Sequence, residues 1–250
     1  MKIFIDNKLF LAETKDKGFG IFTKEDILEN TIVEISPVIK LKINDLKKEF
    51  KKIKIWCYDW NQKSVGLSSG FGPLYNHDWN PNVKMDYLKN QYFSFKTTKK
   101  IKKNEELTIN YGSTWWKKTN HPENKIEYQE SKLLNYLFVN KSVELIKNRF
   151  GNHILKAKEN ISKGTILEIS RCLFFKYKKL NKSNCLNKYF YHLKNNNFTF
   201  GFGYANLYKT NSKNNNVKWY IKNKRLHFEA KENIEKGDIL KIASKYYKNL

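Results

Sequence analysis

Apolar and polar residues alternate along Lys2 to Phe10, the pattern of a strand with one buried face. β-Branched residues crowd Thr31 to Leu41, and Phe93 to Lys96 and Leu107 to Tyr111 read as further strands. Two stretches follow a helical period instead. Asn44 to Ile55 sets Leu46, Phe50 and Ile53 on one side, and a second predicted helix starts near Pro122, at a favourable first-turn position, and runs through Leu133, Leu134 and Leu137 towards Val139. The pattern predicts a mainly β chain with a few helices.

The chain also repeats itself. KEDILENTIVEIS at Lys24 to Ser36 agrees with KENISKGTILEIS at Lys158 to Ser170 at eight of thirteen positions. Gly70-Phe71-Gly72 recurs as Gly201-Phe202-Gly203, and Phe95 with the following KKIKKNEELTI recurs as Phe228 with KENIEKGDILKI. The three matches keep one order and lie 131 to 134 residues apart, which predicts an internally duplicated fold.

At 40% hydrophobic and 15% aromatic residues, the 250-residue chain can bury a core and is not of disordered composition. It has no apolar run long enough to span a membrane, and Asp6, Lys8, Glu13 and Lys15 interrupt what would be a signal peptide. The expected location is intracellular and soluble: the cytoplasm, or the host nucleus if the source is a virus of a eukaryote. Cys57, Cys172 and Cys185 are too widely spaced for a zinc site or a disulfide framework, so no metal is expected. The net charge of +24 suggests a weak attraction to nucleic acid or acidic surfaces. Only Arg149, Arg171 and Arg225 among 48 basic residues are arginine, however, the residue best suited to base edges and phosphates.

Three motifs carry candidate chemistry. Lys17-Gly18-Phe19-Gly20-Ile21-Phe22 lets backbone approach a ligand closely. Gly70-Phe71-Gly72-Pro73-Leu74-Tyr75-Asn76-His77, followed by Asp78-Trp79-Asn80-Pro81-Asn82, gathers amide and imidazole groups on a loop. Glu105 to Gly112, EELTINYG, ends a strand in a Tyr-Gly turn with Trp115 and Trp116 just beyond.

Taken together and in this order, the motifs resemble the SET-domain family of protein-lysine methyltransferases. The likeness is strongest to the compact viral and bacterial enzymes that lack zinc-binding flanks, and it covers about the first 116 residues. The resemblance implies a β-clip, pseudoknot-like fold in which the Tyr-bearing segment threads beneath an earlier loop and meets the Asn-His pair. It implies a catalytic domain over residues 1–116, a helical connector over 117–147 and a degenerate SET-like lobe over 148–250. It further implies S-adenosylmethionine as cofactor, held by Gly18, Phe19, Gly20, Asn76 and His77, with Trp116 stacked on the adenine. Tyr111 matches the tyrosine at the methyl-transfer point, and Tyr58, Trp115 and Tyr111 would line a channel for the target lysine. The partner is then a protein bearing that lysine. The assembly is expected to be a homodimer, or a monomer whose second lobe supplies an intramolecular pseudo-dimer.

The second half keeps the apolar framework, including Ile161, Ile166, Ile169, Phe228, Ile234 and Leu240, but not the polar groups. Aligned through Gly201-Phe202-Gly203, Leu207-Tyr208 stands for Asn76-His77; aligned through Phe228, Ala243-Ser244-Lys245 stands for Asn110-Tyr111-Gly112. That lobe is expected to be catalytically silent. The competing functional reading is a SET-fold binding module that tethers protein or nucleic acid through its basic surface.

Overall fold

The structure is a computed structural model. It describes residues 3–15, 17–46, 51–89, 91–112, 115, 138–148, 151–176, 185–195 and 197–246, in two compact units divided between residues 136 and 137.

The N-terminal unit contains β1 (Phe4–Ile5), β2 (Leu9–Glu13), β3 (Phe19–Thr23), β4 (Ile32–Lys42), β5 (Tyr58–Asn61), β6 (Ser64–Ser68), β7 (Asn76–His77), β8 (Val83–Leu88), β9 (Tyr92–Thr97) and β10 (Glu106–Ile109). One sheet has the order β5-β6-β4-β9-β8 with β1 also on β4, and a second has the order β2-β3-β10-β7. The alternation over Lys2 to Phe10 resolves into two strands rather than one. Asp6 breaks it by accepting the Lys8 N–H on its carboxylate, at 2.9 Å, and the Leu9 N–H on its carbonyl.

The eleven-residue β4 is the spine of the first sheet. Its first half pairs with β9 up to Pro37↔Tyr92, and its second half pairs with β6 from Val38↔Ser68. Proline has no N–H to give a ladder, and here it stands where the strand changes partners. Val33, Leu41, Leu67, Phe93 and Phe95 bury completely around this crossing, while Leu11, Ile21 and Leu107 do the same in the second sheet.

Helix is scarce among the described residues. Within the segment expected to be helical over Asn44 to Ile55, the described residues hold a 3-10 turn at Ile43–Asp45 and α-helix at Lys51–Lys54, and residues 47–50 lie outside them. Leu46 and Ile53 are buried as the spacing required, and Phe50 lies outside the described residues. The helix expected from Pro122 also lies outside them, save at its end, where Phe138–Val139 is a strand paired with Ile169 and Glu168.

The C-terminal unit holds β11 (Phe138–Val139), β12 (Val143–Lys147), β13 (His153–Ala157), β14 (Ile166–Lys176), β15 (Tyr191–His192), β16 (Asn197–Gly201), β17 (Lys209–Thr210), β18 (Val217–Lys222), β19 (Arg225–Ala230) and β20 (Lys241–Ile242). It therefore takes in β11 and β12, which the sequence reading placed in the connector. The order β15-β16-β14-β19-β18 with β11 on β14 repeats that of the first sheet of the N-terminal unit. The bridge Ile27↔Ile101 recurs as Ile161↔Ile234.

Register corrects one alignment made from sequence. Asn76 pairs with Thr108 and Lys209 pairs with Lys241, each in a parallel bridge, so Lys209-Thr210 stands where Asn76-His77 stood. Tyr208 instead takes the place of Tyr75: it stacks on Phe228 with ring centroids 4.2 Å apart, as Tyr75 stacks on Phe95 at 4.6 Å. The glycine motif misled because the loop between it and the strand is two residues shorter in the first half.

Candidate active site

The site of the N-terminal unit forms where β10 runs antiparallel to β3 and parallel to β7. The parallel pairing sets Thr108 opposite Asn76 and Ile109 opposite His77, and the Asp78 N–H donates to Ile109 O at 3.0 Å. Two residues past the end of β10, the Tyr111 N–H donates to His77 Nδ1 at 3.1 Å. The imidazole ring lies 5.3 Å from that of Tyr111 and stands perpendicular to the exposed indole of Trp79 at 4.5 Å.

Asn76 locks this crossing to the Gly-x-Gly strand. Its Nδ2 donates to Phe19 O at 2.9 Å and to Glu106 Oε1 at 2.7 Å. Both amide hydrogens are thereby used, and Oδ1 remains as an acceptor. Gly20 lies directly beneath: a Cβ there would come 2.2 Å from Glu106 Oε1 and 2.9 Å from Asn76 Nδ2, so the backbone must be bare. Gly18 has φ +77°, a left-handed conformation that glycine adopts without steric cost, and its carbonyl accepts from the Thr14 N–H at 2.6 Å. Lys17 extends its ammonium to His77 O at 3.1 Å.

Beside this crossing lies a cavity of about 230 Å³. Trp56, Tyr58, Tyr75, Tyr87, Tyr111 and Trp115 give it aromatic walls, with Asp59 also in the lining. The two key phenols are fixed in the same way. Tyr111 donates its hydroxyl proton to Tyr75 O at 2.7 Å, and Tyr58 donates to Gly72 O at 2.5 Å. Burial, aided by Glu106, raises the Tyr111 phenol well above its ordinary range, and burial does the same for Tyr58. Both therefore stay neutral phenols rather than phenolates.

The sequence-predicted residues therefore divide. Gly20, Asn76, His77 and Tyr111 converge on one crossing, Gly18 bonds to Thr14 at the start of the same strand, and Tyr58, Tyr111 and Trp115 line one cavity. Phe19 contributes its backbone carbonyl to Asn76 and is absent from the cavity lining. Trp116 lies outside the described residues. Among nearby acidic residues, Asp59 lines the cavity, Asp86 pairs with Lys84 at 2.9 Å and Asp78 accepts the Asn80 N–H. The sequence reading missed Glu106, Tyr75 and Asn82. Asn82 spans the loop by donating to Glu106 O at 2.8 Å and accepting the Thr108 N–H at 2.8 Å. All three sit inside the quoted motifs, but only the folded register shows what they hold.

A methionine-derived sulfonium cofactor fits this set. The acceptor Oδ1 of Asn76 and the cationic end of Lys17 suit a zwitterionic amino acid moiety, and aromatic faces suit a positive sulfur.

The SET-domain family profile matches residues 18–112. The chain is 37% identical over 116 residues to a histone-lysine N-methyltransferase of Schizosaccharomyces pombe, specific for lysine 37 of histone H3. That match covers 45% of this chain and 78% of the relative. Among solved structures, the chain resembles a Plasmodium falciparum protein described as a histone methyltransferase, with 27% identity and a TM-score of 0.38 over 45% of this chain and 99% of that one. A Polycomb Repressive Complex 2 from Chaetomium thermophilum matches with 19% identity and a TM-score of 0.37, over 43% of this chain and 15% of that one.

Proposed function

The chain belongs to the SET-domain family of protein-lysine N-methyltransferases, and from that premise we propose that its N-terminal unit transfers a methyl group from S-adenosylmethionine to a protein lysine held in the Tyr58–Tyr111–Trp115 cavity. When bound, the cofactor supplies an electrophilic methyl group on a sulfonium. Gly18, Phe19 and Gly20 would hold its methionine part along bared backbone, with Asn76 and His77 packed against it. Trp116 is the expected partner of the adenine.

The remaining work falls to the cavity. A lysine amine must be neutral to attack, and at its ordinary pKa near 10.4 about one in a thousand is neutral at pH 7. Aromatic walls exclude water and disfavour the ammonium form, while ring faces still attract the cation as it enters. The Tyr58 and Tyr111 oxygens, with their protons committed to Gly72 O and Tyr75 O, accept from the amine N–H groups and so orient its lone pair. Orientation of this kind can supply several kcal/mol of a barrier. The lysine ammonium would give its proton to water before attack, and the amine would take the methyl as the carbon–sulfur bond breaks to leave a neutral thioether. The product would depart as a methylammonium, with no side chain acting as a strong base.

The observation that carries the reading is the Tyr111 N–H bond to His77 Nδ1, which fixes the cavity's phenol to the Asn-His loop. The S. pombe relative acts on a histone; for this chain a basic tail would have to approach a molecule of net charge +24, with Asp59 the nearest acidic group in the cavity. We therefore leave the substrate class as lysine-bearing protein segments, histone tails among them. Incubation of the full chain with methyl-labelled cofactor, histones and cell extract, followed by mass spectrometry, should give labelled lysines that vanish with Tyr111→Phe. Equal labelling by the two would overturn the assignment. The C-terminal unit we read as a degenerate copy that supplies a docking or dimer-like surface; a chain truncated after residue 147 with unaltered solubility and turnover would remove that role.

A further inference from the structure

The C-terminal unit repeats several of the positions that line the aromatic cavity, and a lysine of that unit lies among them. The argument rests on reading the Tyr58–Tyr111 cavity as the target-lysine channel. Matching registers put Tyr191 at the place of Tyr58, Asn206 at Pro73, Trp219 at Met85 and Ser244 at Tyr111, and each of those four N-terminal residues lines the cavity. The hydrogen bond that fixes the channel phenol is kept as well: Tyr58 donates to Gly72 O, and Tyr191 donates to Ala205 O, fourteen residues on in both cases.

Lys245, the residue after Ser244, turns its side chain into this place. Its Nζ donates to Lys188 O at 3.0 Å and to Asn206 O at 3.5 Å, and lies 5.0 Å from the centroid of the Tyr191 ring. Its carbonyl is pinned by the His192 N–H at 2.7 Å. Among the described residues no carboxylate pairs with this ammonium, so carbonyl oxygens and an aromatic face receive it. These are the groups a channel built for a lysine side chain would offer. We propose that the C-terminal unit retains a lysine-binding channel occupied from within by Lys245, and that a primary alkylammonium or a lysine side chain takes the site when Lys245 is truncated. The channel binds without transferring, because Thr210 stands for His77 and Ser244 for Tyr111. Enclosure also acts on the amine as a methyl-transfer channel must: desolvation first, then neighbouring Lys188, lowers Lys245 to about 8.

The test uses the full chain. Thermal unfolding of wild type, Lys245→Ala and Lys245→Met is followed with and without millimolar n-butylammonium chloride, against sodium chloride at equal ionic strength. The alanine variant should unfold several degrees earlier than wild type and recover at least half of the loss with butylammonium. Wild type and the methionine variant, with the channel filled, should show only the smaller shift due to the N-terminal cavity. If the alanine variant folds only with butylammonium present, recovery of folded chain replaces the shift as the readout. Equal responses from all three proteins, or no recovery, would overturn the proposal. Methyl transfer is measured separately, so transfer without rescue removes the internal plug alone, and rescue without transfer removes the catalytic reading alone.

Discussion

The backbone N–H of Tyr111 rests on Nδ1 of His77 at 3.1 Å across 34 residues of chain, and this bond ties the channel's phenol to the cofactor loop. His77→Ala removes the acceptor and the ring that packs against Tyr111 and Trp79. A hydrogen bond is worth about 1 kcal/mol net, and an abandoned donor costs about 1–3 kcal/mol when fully buried, so this part-buried bond falls towards the lower end. Calorimetric titration with S-adenosylmethionine should show affinity reduced at least about tenfold, with urea stability lowered by a similar free energy. His77→Asn, which can place an acceptor near the same point, should recover part of the stability but less of the binding. Unchanged affinity in the alanine variant would separate this loop from the cofactor.

Much of this site is legible in the sequence because its parts are short, ordered motifs: GFG at Gly18, Asn76-His77 and the Asn110-Tyr111-Gly112 turn each read locally. Their convergence is not local. It depends on a parallel pairing of β7 with β10, thirty-two residues apart, and period-2 alternation cannot reveal which strands pair. The same limit explains the shifted alignment of the second half, where a loop of altered length breaks the spacing and the Lys209↔Lys241 register, with the Tyr208–Phe228 stack, restores it. Leu46 and Ile53, picked out by a helical period, are both buried, and Lys51–Lys54 is α-helical.

Gly20 is the tightest point of the clamp. An added methyl group would lie 2.2 Å from Glu106 Oε1, 2.9 Å from Asn76 Nδ2 and 2.9 Å from Thr14 Cγ2. Gly20→Ala must therefore displace the Glu106–Asn76 hydrogen bond, and the Asn76 amide loses its aim. The expected result is a folded protein with little methyl transfer and cofactor affinity too weak to titrate at micromolar protein. Gly164→Ala, at a φ of +85° with open space around its Cβ, is the control: it should cost about 1 kcal/mol of stability from backbone strain and leave binding intact.

Glu34 is fully buried, accepts the Gly72 N–H at 3.2 Å, and has its second oxygen outside hydrogen-bonding geometry. Desolvation, the dominant cause, pushes it up to about 7, against hydrogen bonds from Ser36 and Gly72 that favour the charged form. Glu168 repeats the arrangement and rises to about 8. A carboxyl whose pKa is higher folded than unfolded keeps its proton in the native state, so stability falls as pH rises between the two values. The slope approaches 1.4 kcal/mol per pH unit per group between about 4.5 and 7 for Glu34. Glu34→Gln, neutral at every pH, should match wild type near pH 5 and exceed it in urea stability at pH 8. Parallel pH profiles for the two proteins would show that Glu34 ionises normally in the fold.

Trp115 closes one wall of the cavity with its ring 4.8 Å from that of Tyr111, and its backbone N–H donates to Gly112 O at 3.2 Å. An indole in this position takes up room that each added methyl group must share with the amine. Successive methylation also requires the amine to rotate its lone pair back towards the sulfonium, and a tight wall hinders that turn more for each methyl already present. Wild type should therefore release chiefly monomethyl-lysine, or mono- and dimethyl-lysine together, at saturating cofactor. Trp115→Ala should shift the mass-resolved products towards dimethyl- and trimethyl-lysine while the first transfer slows, because the enlarged cavity positions the amine less well. Trimethyl-lysine as the main wild-type product would mean that the indole does not restrict the channel.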